Sequence, residues 1–290
     1  MSLSRPSHLY AYSAALFAVF VWGAFPTLIK SALQFASVEE FLTMRFLVSC
    51  MLFLFVFPRV FTKIKQIPFI LCAIFIITVV VVFYSQTYAL NQMPASWYVA
   101  VFTFVPIVFM VIDRQSLNIL GLIGTAIAIL GMLLFFMSMS HETKMNFWHI
   151  ILLIFSMLAW VGYSLMAKQL HPYIHDRELV ALTSLVGLLS SLTIWAIHGF
   201  HMQPISLPGL GLCALSGIVL PLALVTYSFS LRFKPVFAVF SQYLEPVIGL
   251  VVAALFLGER MQFLQYAVTL IVIIGTVLIG IATREIGVDV

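Results

Sequence analysis

Charged residues are scarce in this sequence. Only 8% of its 290 residues are Asp, Glu, Lys or Arg, whereas 63% are hydrophobic and the mean hydropathy is +1.15. A soluble domain of this size could not cover so apolar a surface with polar groups. The stretches between the apolar runs are also short, which leaves no room for a soluble domain or an extended linker. The composition therefore predicts an integral membrane protein that acts within the bilayer.

The motifs of enzymes and ATP-driven pumps are missing as well. The sequence contains no His-Glu-x-x-His, no Walker A motif and no deep pair of aspartates, and its seven histidines lie at or near the ends of apolar runs. Its three cysteines, Cys50, Cys72 and Cys213, lie inside apolar runs at no metal-like spacing, which is typical of packing residues. We therefore predict no enzymatic activity, no cofactor and no metal site.

Long apolar runs, by contrast, are abundant. A transmembrane helix needs about 20 mostly apolar residues. The first run is too long for the apolar region of a signal peptide and is interpreted as a retained helix. Ten runs lie at roughly 9–31, 38–58, 68–90, 95–112, 117–138, 147–168, 179–198, 208–231, 235–256 and 262–282. They predict an all-α membrane protein with ten transmembrane helices.

The basic residues are distributed unevenly between the two sides of such a protein. If the N-terminus is cytoplasmic, ten lysines and arginines fall on the cytoplasmic side, and only Lys30, Lys144 and Arg260 fall on the other side. Arg45 lies inside the second run. This positive-inside bias predicts that both termini are cytoplasmic. The formal charge of +4 is thus a sign of topology, and no nucleic-acid partner is predicted.

The sequence repeats itself near its middle. Residues 18–30 (AVFVWGAFPTLIK) align with residues 156–168 (SMLAWVGYSLMAK) at an offset of 138. Further matches follow in the same order along the chain: Glu40 with Glu178, Pro94 with Pro235, Pro106 with Pro246 and Gly131 with Gly275. The repeat predicts two units, 1–140 and 141–290, of five helices each. Because five is odd, the second unit crosses the membrane upside down, which is an architecture of alternating access.

One segment resembles a known family. The sequence QYLEPVIGLVVAALFLGERM (242–261), with its Leu-Glu-Pro and Leu-Gly-Glu, resembles the bacterial EamA-type exporters of the drug/metabolite transporter superfamily, as do the Trp-Gly and Lys of the first run. The resemblance covers essentially the whole chain. It implies a central cavity lined by helices one, three, four, six, eight and nine, and export of small metabolites. The first half departs from the pattern, because it lacks the Gly-Glu and its fourth run is about four residues shorter near Asp113-Arg114.

Glu245 is the one acidic residue deep inside an apolar run. A charge at the bilayer centre costs on the order of 2.5–3.5 kcal/mol on insertion scales, so such a residue is a candidate for function. Burial favours the protonated form of a carboxylate, so Glu245 could exchange a proton for a cationic group. Either a proton-coupling or an amine-binding role follows; the alternative is a protonated structural residue that is bonded to a neighbouring helix.

Prolines inside three of the runs predict hinges. Pro246 removes the usual donor for the carbonyl of Gln242, within one turn of Glu245. Pro106 does the same for Phe102 in the fourth run, and Pro26 is predicted to bend the first run. The positions equivalent to Gln242 and Glu245 in the first half are apolar. We therefore predict a cavity with one polar, acidic wall and one apolar wall.

The predicted substrate site combines this acid with aromatic rings. Aromatic faces near a carboxylate suit an ammonium group through cation–π contact. The predicted binding residues are Glu245, Gln242, Trp22, Tyr84, Phe102, Trp160, Tyr163 and Tyr227. Further aromatic or amide candidates are Gln86, Tyr88, Trp97 and Tyr98, each of which could instead be packed or interfacial.

The deep cations are interpreted differently. Lys30 and Lys168 are predicted to extend to the membrane interface as anchors. Arg45 is predicted to extend outward or to pair with Glu39 or Glu40, and contact with a substrate carboxylate is the alternative.

These observations predict a secondary transporter of the bacterial inner membrane, a monomer or weak homodimer. It would export a small amine-bearing metabolite, most plausibly a neutral or aromatic amino acid, by alternating access. Coupling to protons and passive transport both remain open. An exchanger of organic cations also stays open, as does an exchanger of anionic metabolites such as nucleotide sugars, which would need deep cations where only Arg45 comes close.

Overall fold

The computed structural model describes residues 8–93, 95–102, 104–113, 118–139, 147–201, 204–257 and 263–285. Within these ranges every regular element is helical. The α-helices are α1 (His8–Ala32), α2 (Val38–Leu52), α3 (Phe57–Lys63), α4 (Phe69–Gln92), α5 (Ala95–Phe102), α6 (Val105–Asp113), α7 (Ile119–Met139), α8 (Phe147–Leu170), α9 (Asp176–Ile197), α10 (Leu207–Phe233), α11 (Pro235–Phe240), α12 (Glu245–Leu257) and α13 (Phe263–Glu285). Two 3-10 helices, Ile64–Gln66 and Ser241–Leu244, lie between them.

Each apolar run of the sequence lies on one helix or on consecutive helices. In the described residues α1, α4, α8, α9 and α10 are each long and apolar enough to cross a membrane. A sixth span results if α2 and α3 are counted together, and these two meet at an angle of 92°. The run 38–58, predicted as one transmembrane helix, is therefore divided into two helices. Pro58 explains the break, because proline suits the first turn of a helix, here α3, but not its interior. The count of ten spans stays a prediction.

Equivalent helices of the two repeats begin in the same way. Glu40, in the first turn of α2, accepts a hydrogen bond from the backbone N–H of Ser37 at 2.8 Å. Glu178, in the first turn of α9, accepts one from the backbone N–H of His175, also at 2.8 Å. A carboxylate there satisfies a helix-end donor and complements the helix dipole. Both repeats therefore keep a glutamate at this position for a structural reason.

The fourth and ninth runs are broken at equivalent places. The first residues of the paired helices, Ala95 with Pro235 and Val105 with Glu245, all obey the offset of 140. The 3-10 turn before α12 lets the N–H of Glu245 donate to the carbonyl of Gln242. The usual donor that Pro246 removes is therefore replaced by the N–H of Glu245 in the tighter turn.

The predicted hinge prolines thus lie in different settings. Pro106 and Pro246 are the second residues of α6 and α12, where the missing N–H of proline costs nothing. Pro26 lies inside α1, which continues through it to Ala32. Of the three prolines, only Pro106 and Pro246 thus lie beside a break in their runs.

Equivalent helices of the two repeats pack against each other in opposite directions. Between α2 and α9, the Phe46 ring covers Gly187 and the Ser49 hydroxyl lies 2.6 Å from that of Ser184, so residue numbers rise along one helix as they fall along the other. At the offset of 138, Phe46 is equivalent to Ser184 and Ser49 is equivalent to Gly187, so each contact is the counterpart of the other. The equivalent helices α2 and α9 therefore run antiparallel.

The fifth helices of the two repeats, α7 and α13, form a second contact of this kind. A Cβ atom on Gly124 would lie 2.7 Å from the carbonyl oxygen of Gly275, and one on Gly131 would lie 2.8 Å from the Val272 side chain. Glycine is needed at such a crossing, because the two backbones approach directly.

The centre of the protein lies between helices of different repeats. Helix α1 packs on α10, where the Trp22 and Tyr227 ring centroids are 4.8 Å apart. Helix α4 packs on α8, where the Ser156 hydroxyl donates to the carbonyl of Val82 at 3.1 Å. The broken helices α5 and α12 complete the ring of six helices around this centre.

Candidate functional site

A narrow pocket lies at this centre. Three helices from each repeat contribute to it. Its lining residues are Trp22 and Phe25 from α1, Phe83 and Gln86 from α4, Tyr98 and Phe102 from α5, Trp160 from α8, Leu220 from α10 and Glu245 from α12. These are the helices that the family resemblance implied. Four of the eight predicted binding residues line the pocket directly: Glu245, Trp22, Phe102 and Trp160.

Glu245 is the acidic group of this pocket. Its side chain is buried, and no described lysine, arginine or histidine lies within 4.0 Å of its carboxylate. It is the first residue of α12, directly after the 3-10 turn. The positive end of a helix dipole favours a negative charge at this position. The break in the ninth run thus places a carboxylate at a helix end that faces the pocket.

Gln242 holds the aromatic rings behind the acid. Its side-chain oxygen accepts a hydrogen bond from the Trp160 indole N–H at 3.0 Å, and its nitrogen lies 3.2 Å from the Tyr227 hydroxyl, to which it can donate. An indole nitrogen only donates, so this contact determines which way the amide faces. The Tyr227 hydroxyl also lies 2.9 Å from that of Ser164. Gln242 therefore orients Trp160.

Trp22 and Trp160 meet in the pocket. Their ring centroids are 5.0 Å apart with an interplanar angle of 86°, an edge-to-face arrangement. Next to Trp22, a Cβ atom on Gly23 would lie 2.6 Å from the Cβ of Ile248 and 2.9 Å from the carbonyl oxygen of Glu245. Helix α1 thus approaches α12, the helix that carries the acid, closely at Gly23.

The wall opposite Glu245 is not apolar throughout, contrary to prediction. The Gln86 amide nitrogen donates to the Tyr98 hydroxyl at 2.9 Å, and both residues line the pocket. The Tyr98 ring centroid lies 4.1 Å from that of Phe102. Position 86 is equivalent to Tyr227 at the offset of 141, so the repeat could have assigned Gln86 to the centre. In the same way Phe25 is equivalent to Tyr163.

Several predicted residues lie behind the pocket or apart from it. Tyr163 and Tyr227 are 1% exposed and, like Gln242, support the lining residues from behind. Tyr84 stacks on Tyr88 and does not line the pocket. The side chains of Trp97 and Pro246, together with Gly258 and Glu259 of the family motif, lie outside the described residues.

The two lysines that are predicted to be interface anchors each connect two helices. The Lys168 ammonium lies 2.7 Å from the carboxylate of Asp113, which joins α8 to α6. The Lys30 ammonium donates to the carbonyl of Met93 at 2.8 Å, just beyond α4. Carbonyl and carboxylate groups at helix ends lie within reach of these long side chains, so neither lysine has to extend into solvent for a partner. Each lysine joins two helices at opposite ends of the molecule.

A second pocket lies on the Lys168 side of the molecule. Its charged lining residues include Arg59, Asp176, Glu178 and Arg232. The Glu178 carboxylate lies 2.7 Å from the Lys63 ammonium, and Asp176 lies 3.4 Å from the Arg232 guanidinium. These contacts neutralise the acids of this pocket.

A buried histidine adjoins this ionic group. The pKa of His171 is lowered to about 4, first by burial and then by the nearby Arg232, whereas Asp176 opposes the shift. His171 is therefore neutral at physiological pH. Its Nε2 lies 3.0 Å from the Ser228 hydroxyl, which donates to Asp176 at 2.8 Å.

Arg45 does not extend outward, and both of its predicted carboxylate partners are engaged elsewhere. Its side chain has no exposed surface, and its guanidinium lies over the ring of Phe46 at 4.6 Å. Glu39 bonds with the Tyr88 hydroxyl and lies 3.0 Å from Nδ1 of His198. Glu40 caps α2. The predictions that Arg45 extends outward or pairs with Glu39 or Glu40 are therefore wrong, because α2 places this side chain in the protein interior.

Comparisons with known proteins agree with the two-repeat architecture. The sequence profile of the EamA-like transporter family matches residues 9–137 and again residues 147–281. One solved crystal structure, described only as that of a protein, aligns with a TM-score of 0.76 and 12% identity over 96% of this chain and 98% of that chain, which shows the fold alone. No curated protein matches the chain. Because the two profile matches cover most of the sequence, the chain belongs to the EamA-like transporter family of the drug/metabolite transporter superfamily, whose members move small molecules across membranes.

Proposed function

We propose that this protein exports a small amine-bearing metabolite, a neutral or aromatic amino acid, from the bacterial cytoplasm by alternating access. The observation that carries the proposal is the position of Glu245 in a pocket walled by Trp22, Trp160, Phe102 and Tyr98. A carboxylate without a basic partner among the described residues attracts a cation, and aromatic faces stabilise an ammonium group. The apolar side chain of a substrate amino acid can pack against the same rings.

The direct test is binding and flux across a substrate panel. Purified protein in proteoliposomes should transport amines or amino acids, and the same compounds should raise its melting temperature. The panel contains neutral and aromatic amino acids, organic cations and sugar nucleotides. Transport of sugar nucleotides without any response to amines would disprove the proposal.

Proton coupling is a separate part of the proposal. A deep carboxylate can release a proton as a cationic group arrives, so an imposed pH gradient should drive accumulation of the substrate. The comparison is flux with and without the gradient at equal substrate concentration. Equal rates under both conditions would instead identify a passive facilitator.

We also propose ten spans in two oppositely oriented units, with both termini cytoplasmic. The antiparallel packing of α2 with α9 supports this topology, as does the excess of basic residues on one side. In this topology the C-terminal ends of α1 and α8 face opposite sides of the membrane.

Cysteine labelling tests the topology. Gln34 and Gln169 are exposed residues close to Lys30 and Lys168, respectively. In a background where the half-buried Cys72 is replaced by serine, Gln34→Cys should react with an impermeant reagent from outside intact cells. Gln169→Cys should react only after the cells are opened. Reaction of both variants from the same side would contradict the inverted arrangement.

A further inference from the structure

The guanidinium of Arg45 is a charge that the packing does not explain. Its side chain is completely buried, and none of its three nitrogens has a hydrogen-bond partner among the residues that the structure describes. A buried charge without such a partner is strongly unfavourable. Ionisable groups inside membrane helices are typically retained where they act on a substrate or an ion.

Aromatic rings surround this guanidinium. The ring centroids of Phe46, Phe83, Phe41 and Phe25 lie 4.6, 5.0, 5.1 and 5.9 Å from its central carbon. Cation–π contacts compensate part of the lost hydration but supply no hydrogen-bond acceptors. Phe25 and Phe83 also line the central pocket. Only one layer of rings therefore separates Arg45 from the pocket that contains Glu245.

The equivalent position in the second repeat carries no charge. At the offset of 138, Arg45 corresponds to Thr183, and Phe25 corresponds to Tyr163. The hydroxyls of Tyr163 and Thr183 lie 3.2 Å apart, and this neutral pair is buried. The helical framework therefore does not need a cation here. Glu245 has a neutral equivalent too, Val105, so each charge occurs in one repeat only.

Tyr98 is a pocket residue that lies near both charges. It lines the pocket, and its hydroxyl lies within electrostatic range of both Glu245 and Arg45.

We propose that Arg45 binds the carboxylate of the transported molecule when the rings of Phe25 and Phe83 turn aside, while Glu245 binds its ammonium group. This assignment rests on the proposed function, because it supplies the second charge of the same site. A guanidinium matches a carboxylate with two parallel hydrogen bonds. The substrate class is then a zwitterionic amino acid rather than an amine without a carboxylate.

The test compares ligands that differ only in the carboxylate. The affinities of the full-length protein in nanodiscs are measured for tryptophan, tryptophanamide and tryptamine, and for the corresponding leucine series. Of tryptophan and leucine, the amino acid that the wild type binds more tightly is the reference. The wild type should bind this amino acid roughly ten- to a hundredfold more tightly than its amide, as expected for charge-assisted hydrogen bonds. The readout is the ratio of the two affinities within each variant.

Two variants test the role of Arg45. The double variant Phe25→Tyr, Arg45→Thr copies the neutral pair of the second repeat, so it should fold, and Arg45→Met replaces the charge by an apolar chain of similar length. In both variants the acid-to-amide ratio should fall to about one. The control Thr183→Val, at the equivalent position of the second repeat, should keep the wild-type ratio.

The outcomes separate this assignment from the proposed function. Equal affinity for acid and amide in the wild type, or an unchanged ratio in both Arg45 variants, would overturn the carboxylate role while amine binding at Glu245 stands. If neither series binds, both the proposed function and this assignment are wrong. The ligand-free Arg45→Met protein should melt no lower than the wild type, because it loses an unpaired buried charge. A lower melting temperature together with an unchanged ratio would show that Arg45 is only structural.

Discussion

Replacement of Glu245 by glutamine is expected to lower amine flux in proteoliposomes by about thirtyfold or more. The neutral amide keeps the size of the side chain but removes the charge that faces the ammonium group. Loss of one partner of a buried charge pair costs about 2 kcal/mol or more, which corresponds to that factor. Insertion and folding should be retained, because no described residue forms an ion pair with this carboxylate.

The matched control for this variant is Tyr243→Phe. Tyr243 lies two residues before Glu245 and is completely buried, its hydroxyl has no hydrogen-bond partner among the described residues, and it does not line the pocket. Its flux should stay close to that of the wild type. Wild-type flux in Glu245→Gln at every substrate concentration would refute the role assigned to the acid.

Alanine at Gly23 is expected to destabilise the protein and to abolish most transport. Its Cβ would lie 2.6 Å from the Cβ of Ile248 and 2.9 Å from the carbonyl oxygen of Glu245. Both contacts are with atoms near the α12 backbone, so relief requires a shift of the whole helix. Overpacking of this kind costs about 1–3 kcal/mol. The same shift would move the Glu245 carboxylate out of the pocket.

Gly211→Ala provides the control, since a Cβ there would meet no atom within 4 Å. In an open position the change from glycine to alanine stabilises a helix by up to about 1 kcal/mol. Gly23→Ala should therefore have a lower melting temperature and a lower flux than Gly211→Ala. If Gly23→Ala melts and transports like Gly211→Ala, the contact between α1 and α12 is not required.

Local sequence features predicted the elements of the fold because they depend on neighbours in the chain. Apolar runs of about 20 residues predicted the positions of the helices. The offset of 138 predicted which helices of the two repeats are equivalent. The depth of Glu245 within its run identified the acid of the pocket, because exclusion from water follows from span length alone.

Contacts between distant helices were decided by the tertiary structure. The 3-10 turn that satisfies the carbonyl of Gln242 depends on how α11 and α12 pack, and no local rule specifies it. Tyr84 and Tyr98 lie on consecutive runs and look alike in sequence, yet only Tyr98 lines the pocket, because the rotation of each helix is determined by its partners.

The charged side chains show the same division most clearly. The sequence by itself determined that Lys168 and Arg45 lie near or within apolar runs, since hydropathy is a property of the local chain. The tertiary structure alone decided that Lys168 pairs with Asp113 and that Arg45 is enclosed by phenylalanine rings. A long flexible side chain can reach several groups, and its partner depends on which helices fold next to it.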